Sequence, residues 1–283
     1  PVPKITDGEV LVQVKEAAIC GTDVRMYVHG TASLQSKPLI LGHEFSGVVA
    51  ETGNKAKQFN IGDRVSIAPN IGCGHCDSCV SGNMHFCKEL TAIGVNMDGA
   101  FAEYIKIPSN AVKLGNLAIL SGDISYAEAA LNEALSCVYN GFLRCNIQLG
   151  DTVLIIGAGP IGVMHAKLAR LAGASKVFLN DLSEERLAQS RKIDPGFITI
   201  NSDLKNRILQ ETKGQGVDVC ITACPVSSIQ EQSLEFMKFN GRINFFGGLP
   251  KESETIRINS NIIHYKQLYV TGTSKANTKM VRK

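Results

Sequence analysis

The chain has 283 residues, 44% of them hydrophobic and 19% charged, with 29 basic and 26 acidic residues and a net charge of +3. This length suits one large or two ordinary domains whose cores need no disulfides. The basic residues are scattered, and no apolar run of about 18 residues is free of charge, so neither a nucleic-acid nor a membrane partner is indicated. The first residues, Pro1 to Lys4, lack signal-peptide character.

The cysteine content points to a metal rather than to disulfides. The chain has nine cysteines, and four of them fall within fifteen residues. An odd number in a chain of this length is a poor disulfide framework, and a tight cluster is typical of a metal site in a reducing compartment. We therefore expect a cytoplasmic protein.

The first part of the chain is predicted to be rich in strands. Short β-type runs alternate with turn residues up to about residue 115. The runs are Val10–Val14, Gly47–Ala50, Arg64–Ile67 and Phe101–Ile107.

From about residue 137, apolar strand candidates alternate with helical segments, which predicts a parallel sheet covered by helices on both faces. The predicted strands are Thr152–Ile156, Lys176–Asn180, Ile198–Asn201, Val217–Thr222 and Arg242–Phe246. The predicted helices are Ile161–Ala172, Glu184–Ile193, Leu204–Glu211 and Ser227–Phe239, with a connecting helix over Ser125–Leu135 near the domain boundary.

A glycine motif joins the first of these strands to its helix. Gly157-Ala-Gly159-Pro-Ile-Gly162 follows the apolar strand directly, and a second strand follows the helix, which is the arrangement of a dinucleotide-binding loop. The glycines allow a tight turn, approach of a pyrophosphate and close helix packing. Asp181 ends the second strand, 19 residues after Gly162, where an acidic side chain binds the adenosine ribose. The alternative is an ordinary turn with Asp181 as a helix cap.

Four cysteines form the first metal motif. Cys73, Cys76, Cys79 and Cys87 have the spacing C-x2-C-x2-C-x7-C, and four thiolates close the tetrahedral shell of a structural zinc. An iron–sulfur cluster is the alternative. The histidines of this lobe, His75 and His85, are expected to be solvated, because four ligands already suffice.

A second metal motif is spread over two segments. Cys20, His43 and Glu44 offer a thiolate, an imidazole and a carboxylate, which suit a zinc with one open position. Each residue alone is unremarkable, since a buried cysteine is most often a small core residue.

Together, Cys20-Gly-Thr-Asp23 and Gly42-His-Glu-Phe-Ser-Gly47 resemble the catalytic-zinc signature of the zinc-dependent medium-chain dehydrogenase/reductase family. The cysteine lobe and the glycine loop follow in that family's order. The sorbitol and polyol dehydrogenase branch is the most similar, on the stretches Gly99–Ile105, Asn132–Ser136 and Asp181–Arg186.

The resemblance implies an α/β protein in three parts. These are a GroES-like β-rich catalytic domain over 1–125, a Rossmann domain with a doubly wound parallel sheet over 126–275, and the start of a return to the catalytic domain over 276–283. Family members begin before Pro1 and continue past Lys283, so we expect the chain to be part of a longer protein.

The resemblance also implies the roles of individual residues. Cys20, His43 and Glu44 are expected to bind the catalytic zinc, with Glu133 as a further carboxylate ligand and Thr22 as the start of a proton relay. The expected cofactor is NAD, with two zinc ions per chain. The expected cofactor contacts are Gly157, Gly159, Pro160, Ile161, Gly162, Asp181, Arg186, Gly247, Gly248, Ser274 and Lys275.

The implied function is oxidation of a secondary alcohol or polyol by NAD, in a homodimer or homotetramer. Polyol dehydrogenases carry an Arg-Tyr pair where this chain has Lys275-Ala276. The lysine suits an anionic substrate such as a sugar-alcohol phosphate, or a cofactor contact alone. The alternatives are a catalytically inactive nucleotide-sensing protein and a zinc-ribbon nucleic-acid module. The retained Cys20, His43 and Glu44 disfavour the first, and the lack of a basic patch around the lobe disfavours the second.

Overall fold

The fold is that of a computed structural model, which describes residues 2–30 and 38–282. The chain divides into two compact units, Pro1–Ser136 with Lys275–Lys283, and Cys137–Ser274. The chain first passes from one unit to the other after Ser136, eleven residues later than the boundary at residue 125 expected from sequence. The reason is that the start of the connecting helix packs with the strand-rich unit. Lys275 also belongs to the strand-rich unit.

The first unit is built on a five-stranded antiparallel sheet in the order β6-β1-β2-β3-β7. Its strands are β1 (Val10–Ala18), β2 (Glu44–Thr52), β3 (Arg64–Ile67), β6 (Tyr104–Ile107) and β7 (Leu117–Ile119), and a separate pair consists of β4 (Asn70–Ile71) and β5 (Thr91–Ala92). One apolar core lies against this sheet and includes the fully buried Val10, Val12, Val49 and Val65.

Short helices fill the connections of this unit. They are α1 (Gly21–His29), α2 (Asp77–Val80), α3 (Ser109–Lys113), α4 (Tyr126–Ala130) and α11 (Thr278–Val281), with a 3-10 turn at Met84–Phe86. α5 (Asn132–Cys145) begins in the first unit and ends in the second. The single helix expected over 125–135 is thus two helices, with Leu131 between them.

The second unit is a six-stranded parallel sheet in the order β10-β9-β8-β11-β12-β13. Its strands are β8 (Thr152–Ile156), β9 (Lys176–Asn180), β10 (Ile198–Ile200), β11 (Val217–Thr222), β12 (Met237–Phe245) and β13 (Tyr269–Gly272). Its helices are α6 (Pro160–Leu171), α7 (Glu184–Ile193), α8 (Leu204–Glu211), α9 (Ser227–Ser233) and α10 (Ser260–Lys266). 3-10 turns lie at Leu234–Phe236 and Lys251–Ser253.

Alternate residues of the central strand point into two separate cores. Val153 and Ile155 pack in one core, and Leu154 and Ile156 in the other. Both faces of a parallel sheet must be covered by helices, which explains the uninterrupted apolar run of β8. The strand order reverses at β8, so the crevice for a ligand is expected at its carboxyl end.

One predicted helix is shorter in the structure. The helix expected over 227–239 ends at Ser233, and a strand begins at Met237. Leu234, Phe236 and Met237 are all buried, and a tight turn into an extended strand places these three closely spaced side chains in the core. No helix among the described residues is long and apolar enough to cross a membrane.

His165 is a titratable residue that is buried in the second unit. It lies on α6 with 1% exposure, and neither ring nitrogen has a hydrogen-bond partner within the described residues. Its ring meets Phe246 edge-on at 4.6 Å. Burial lowers the pKa of His165 from 6.5 to about 3. The ring is therefore uncharged at physiological pH and packs as part of the core.

We predict that His165 makes stability depend on pH. Below the unfolded pKa of 6.5 the unfolded chain binds a proton that the folded protein does not accept until about pH 3. The free energy of unfolding should therefore fall as pH drops below 6.5, by up to about 1.4 kcal/mol per pH unit. In His165→Leu the midpoint of urea unfolding should change less with pH than in the wild type, over the range from about pH 6.5 to 5. The exposed histidine of the same unit provides the control, His264→Leu, and equal slopes in all three proteins would contradict the prediction.

Candidate metal centres and dinucleotide site

The start of α1 is organised by the carboxylate of Asp23. The backbone N–H of Cys20, the residue before the helix, donates to Asp23 Oδ2 at 2.8 Å, and the backbone N–H of Asp23 donates to the Cys20 carbonyl at 3.0 Å. A carboxylate at the third helical position that accepts from the residue before the helix is one half of a capping box. The other carboxylate oxygen accepts from the N–H of Gly42 at 3.3 Å. One buried side chain therefore ties the Cys20 segment to the segment that enters β2.

His43 lies beside the same carboxylate. Its Nδ1 is 3.3 Å from Asp23 Oδ1, although the two groups are not aligned as a hydrogen bond. A metal-binding histidine commonly presents its second ring nitrogen to a carboxylate. Gly42 has a φ of +98°, and a Cβ there would lie 2.7 Å from the ring of Phe101. Only glycine therefore allows the turn that delivers His43 to this place.

The structure brings three of the predicted ligands together. One ligand atom from each of Cys20, His43 and Glu44 lies within 4.8 Å of the other two. His43 and Glu44 are buried, and Cys20 is half-buried. Thiolate, imidazole and carboxylate together suit zinc with one coordination position left open. The donor set therefore fits a catalytic zinc.

The charges around this cluster favour a cation. Burial lowers the pKa of His43, but Cys20, Glu133 and Asp23 outweigh burial and raise it to about 9. Burial also raises the pKa of Glu44. The carboxyl groups of Asp23, Glu44 and Glu133 and the thiol of Cys20 thus lie around one poorly hydrated space, and a divalent cation would favour the ionised form of each.

Two further predicted residues lie outside the three-atom cluster. Glu133 is buried in the first turn of α5, and its charge helps to raise the pKa of His43. Thr22 is half-buried at the second residue of α1. Their roles as an additional ligand and as a proton relay remain predictions.

The four cysteines of the lobe converge as the spacing predicts. Their sulfur atoms all lie within 4.8 Å of one another. Cys73 Sγ is 3.9 Å from Cys79 Sγ, and Cys76 Sγ is 3.8 Å from Cys87 Sγ. A regular tetrahedron with Zn–S bonds of about 2.3 Å has edges of about 3.8 Å. An iron–sulfur cluster places several atoms between its thiolates and needs them farther apart, so the geometry fits a single ion.

The lobe backbone favours ionisation of one of the four thiols, that of Cys73, whereas burial raises the pKa of Cys79 to about 12. Backbone N–H groups of His75 and Cys76 lower the pKa of Cys73 to about 6, so this thiol ionises readily. A Cβ at Gly72 would lie 2.5 Å from Cys79 Sγ, so the turn closes only with glycine. His75 is exposed as expected, but the expectation for His85 was wrong. His85 is 2% exposed, because its 3-10 turn directs it into the lobe interior.

In the second unit the glycine loop has the predicted geometry. Gly157 has a φ of +112°, and a Cβ on Gly162 would lie 1.7 Å from the Gly157 oxygen. Gly159 precedes α6, with Pro160 and Ile161 as the first helical residues, and a Cβ on Gly159 would meet nothing within 4 Å. The free space at Gly159 and the helix start suit a phosphate group.

Asp181 holds this loop in place. Its Oδ2 accepts from the N–H of Ala158 at 2.8 Å, and its Oδ1 accepts from the N–H of Ser183 at 2.9 Å. Arg186 Nη1 lies 3.5 Å from Oδ2. Burial opposes ionisation of Asp181, but these donors prevail and lower its pKa. The cap of α7 is Ser183, so the alternative in which Asp181 is merely the helix cap does not hold.

The remaining predicted cofactor residues fall into two groups. Gly247 and Gly248 follow β12, and Ser274 follows β13, so all three lie at the carboxyl end of the parallel sheet. Lys275 belongs to the first unit and is exposed, with a left-handed φ of 60°. Their contacts with a nicotinamide remain predictions.

One residue central to the first site was not assigned a role from sequence. Asp23 is part of the quoted motif, but its contacts with Cys20, Gly42 and His43 were not anticipated. Its position three residues after the helix-preceding Cys20 is the spacing of a capping box, and that signal was available.

Comparison with known proteins decides the family. The model of the alcohol dehydrogenase GroES-like domain matches residues 6–116, and that of the zinc-binding dehydrogenases matches residues 160–283. L-threonine 3-dehydrogenase of Caldanaerobacter subterraneus subsp. tengcongensis is 35% identical over 279 residues, which cover 96% of this chain and 77% of that protein. This chain belongs to the zinc-binding dehydrogenase family. The family and the fold class expected from sequence are confirmed, and the chain is an oxidoreductase of the alcohol dehydrogenase type.

Other members of the family agree. Sorbitol dehydrogenase of Bacillus subtilis is 33% identical over 285 residues, which cover 98% of this chain and 78% of that protein. Among solved structures, a zinc-binding dehydrogenase from Sinorhizobium meliloti 1021 bound to NADP has a TM-score of 0.89 and 31% identity. The match covers 99% of this chain and 82% of that one.

We predict that Asp23 controls metal affinity through His43. Asp23→Asn keeps the shape but loses the charge, and such changes beside a ligand typically weaken metal binding by about 10- to 100-fold. Competition with a zinc chelator measures the loss. Asp7→Asn removes an exposed carboxylate of the same unit and should have no effect. An unchanged zinc affinity in Asp23→Asn would rule out the assigned role.

For the lobe, Cys76→Ser should remove one zinc per chain and lower the melting temperature, because an ordering metal is lost. His75→Ala is the matched control, since His75 lies between two of the cysteines but points to solvent. Metal analysis and thermal denaturation give the result. Loss of turnover with full zinc content and an unchanged melting temperature would contradict a structural role.

Proposed function

We propose that this protein is a zinc-dependent dehydrogenase that oxidises a secondary alcohol or polyol to a ketone with NAD. The observation that carries the proposal is the convergence of Cys20, His43 and Glu44, three donors of different kinds that leave one zinc position open. A protein that only senses nucleotides has no need of such a centre, so the inactive alternative is disfavoured.

The reaction removes a hydride from the alcohol carbon and a proton from its oxygen. When bound, zinc supplies a Lewis acid for the alcohol oxygen, and the dinucleotide supplies the hydride acceptor. Asp23 ties the Cys20 segment to the Gly42 segment and lies 3.3 Å from His43 Nδ1, and the charge of Glu133 favours the positive form of His43. Thr22, two residues after Cys20, passes the proton toward solvent.

The substrate class rests on the relatives. Their names indicate a hydroxy amino acid and a polyol. Only the amino acid carries ionised groups, but in both the reaction is the oxidation of an alcohol. We propose a secondary alcohol or polyol for this chain. The exposed Lys275 supports the variant in which the polyol carries a phosphate.

We also propose a homodimer or homotetramer in the cytoplasm. β13 is the edge of the parallel sheet, and Tyr269 and Val270 on it are exposed. An unprotected apolar edge favours pairing with a second copy. None of the described cysteines forms a disulfide, which suits a reducing compartment.

The function is tested by alcohol-dependent formation of NADH from NAD, with a panel of polyols, polyol phosphates, hydroxy amino acids and simple alcohols. Cys20→Ser should lose one zinc and nearly all turnover, because the open zinc position disappears. His29→Ala changes an exposed residue on the same helix and should keep both. Full turnover in zinc-depleted Cys20→Ser, or no turnover of any alcohol by the wild type, would refute the proposal.

NAD should be preferred over NADP because Asp181 stands where the ribose is expected. The lowered pKa of Asp181 keeps its carboxyl ionised. The additional phosphate of NADP would replace a ribose hydroxyl beside this carboxylate, so hydrogen bonds worth roughly 1.5 to 3 kcal/mol each would be lost. We expect kcat/KM to favour NAD by about 10- to 100-fold. Asp181→Asn should narrow that ratio, whereas Glu185→Gln on the exposed face of α7 should not.

The two dinucleotides should be compared directly, because the similar dehydrogenase from Sinorhizobium meliloti 1021 is bound to NADP. Equal efficiency with both dinucleotides, or a preference for NADP, would mean that Arg186 governs the site by binding the additional phosphate.

A further inference from the structure

The segment that follows β12 is held by its backbone. The N–H of Gly247 donates to the carbonyl of Thr222 at 2.8 Å. A Cβ on Gly247 would lie 2.5 Å from the Cys224 carbonyl oxygen. Gly247 therefore lies flat against the end of β11, and no other residue type fits without moving that strand end.

A buried glutamine holds the other side of the same peptide. Gln230 lies on α9 with 5% exposure, and its Nε2 donates to the Gly247 carbonyl at 2.9 Å. A buried amide is costly unless it is hydrogen-bonded. The N–H and the C=O of Gly247 are thus both engaged, one by the strand and one by the helix.

The next residue is open. A Cβ on Gly248 would meet nothing within 4 Å, so a fixed peptide adjoins free space at the carboxyl end of β12. A doubly wound sheet binds the two nucleotides of a dinucleotide on opposite sides of the strand where the order reverses. Here that strand is β8. Gly157 and Asp181 lie on the β9 side of it, and Gly247 lies on the β12 side.

We infer that Gln230 is a positioning residue for the nicotinamide half of the dinucleotide. Its hydrogen bond holds the Gly247 carbonyl in one orientation. The adjoining Gly248 is thereby held in the position at which the nicotinamide ring would pack. The adenosine half is assigned to Asp181 and the glycine loop, which lie on the other side of β8 from Gly247. The inference rests on the proposed use of a nicotinamide dinucleotide and adds a residue to that function.

The test compares two ligands on the zinc-loaded full chain. NADH contains both halves of the dinucleotide, and ADP-ribose lacks only the nicotinamide. Gln230→Leu removes the donor at similar size, and Gln230→Glu is isosteric but sets a carboxylate against the carbonyl. Gln232→Leu changes an exposed glutamine of the same helix and is the matched control.

Loss of one buried hydrogen bond should raise the Kd of NADH by about five- to tenfold in Gln230→Leu, and further in Gln230→Glu. The Kd of ADP-ribose should stay unchanged in all variants. Nicotinamide fluorescence gives the first constant and calorimetry the second. A merely structural role would weaken both ligands together or shift only the melting temperature.

The possible failures are distinguishable. If the wild type binds NADH but the variants bind NADH and ADP-ribose with an unchanged affinity ratio, the role of Gln230 is refuted while the proposed function stands. If the wild type binds ADP-ribose but gains nothing from the nicotinamide, or binds neither ligand, the proposed function itself is refuted.

Discussion

The first metal site depends on one buried carboxylate. Asp23 is 2% exposed, and burial of a charge without donors would be prohibitive. Its donors come from two segments, the N–H of Cys20 on one side and the N–H of Gly42 on the other, with His43 alongside. The requirement to satisfy this charge therefore brings the cysteine and histidine ligands together before any metal is considered.

The second unit uses the same arrangement. Asp181 accepts from Ser183, two residues along the chain, and from Ala158, 23 residues away. In each unit a carboxylate near the start of a helix makes one local bond and one distant bond. The local bond fixes the rotamer, and the distant bond fixes a functional loop. Such a residue is a positioning group first, and its charge toward a ligand is an added consequence.

The range of an interaction along the chain explains what the sequence could predict. The cysteine lobe and the glycine loop are contiguous, so their spacing alone encodes the geometry, and the structure places them accordingly. The hydrogen bond between Gln230 and Gly247 joins a helix to the end of a strand, and no local sequence pattern predicts it. The burial of His85 and the end of α9 were missed for the same reason, because each is decided by packing against residues distant in sequence.

The two metal centres differ because of how their ligands are supplied. In the lobe, four thiols from fifteen consecutive residues close a shell, and backbone N–H groups already favour the thiolate form of Cys73. In the first centre, the ligands come from two segments and supply only three atoms. Burial lowers the pKa of His43, but Cys20, Glu133 and Asp23 outweigh it and raise that pKa to about 9. A metal that binds the His43 ring must displace a proton, so binding depends on pH. A set of three protein ligands leaves one coordination position for a substrate, which distinguishes a catalytic zinc from a structural one.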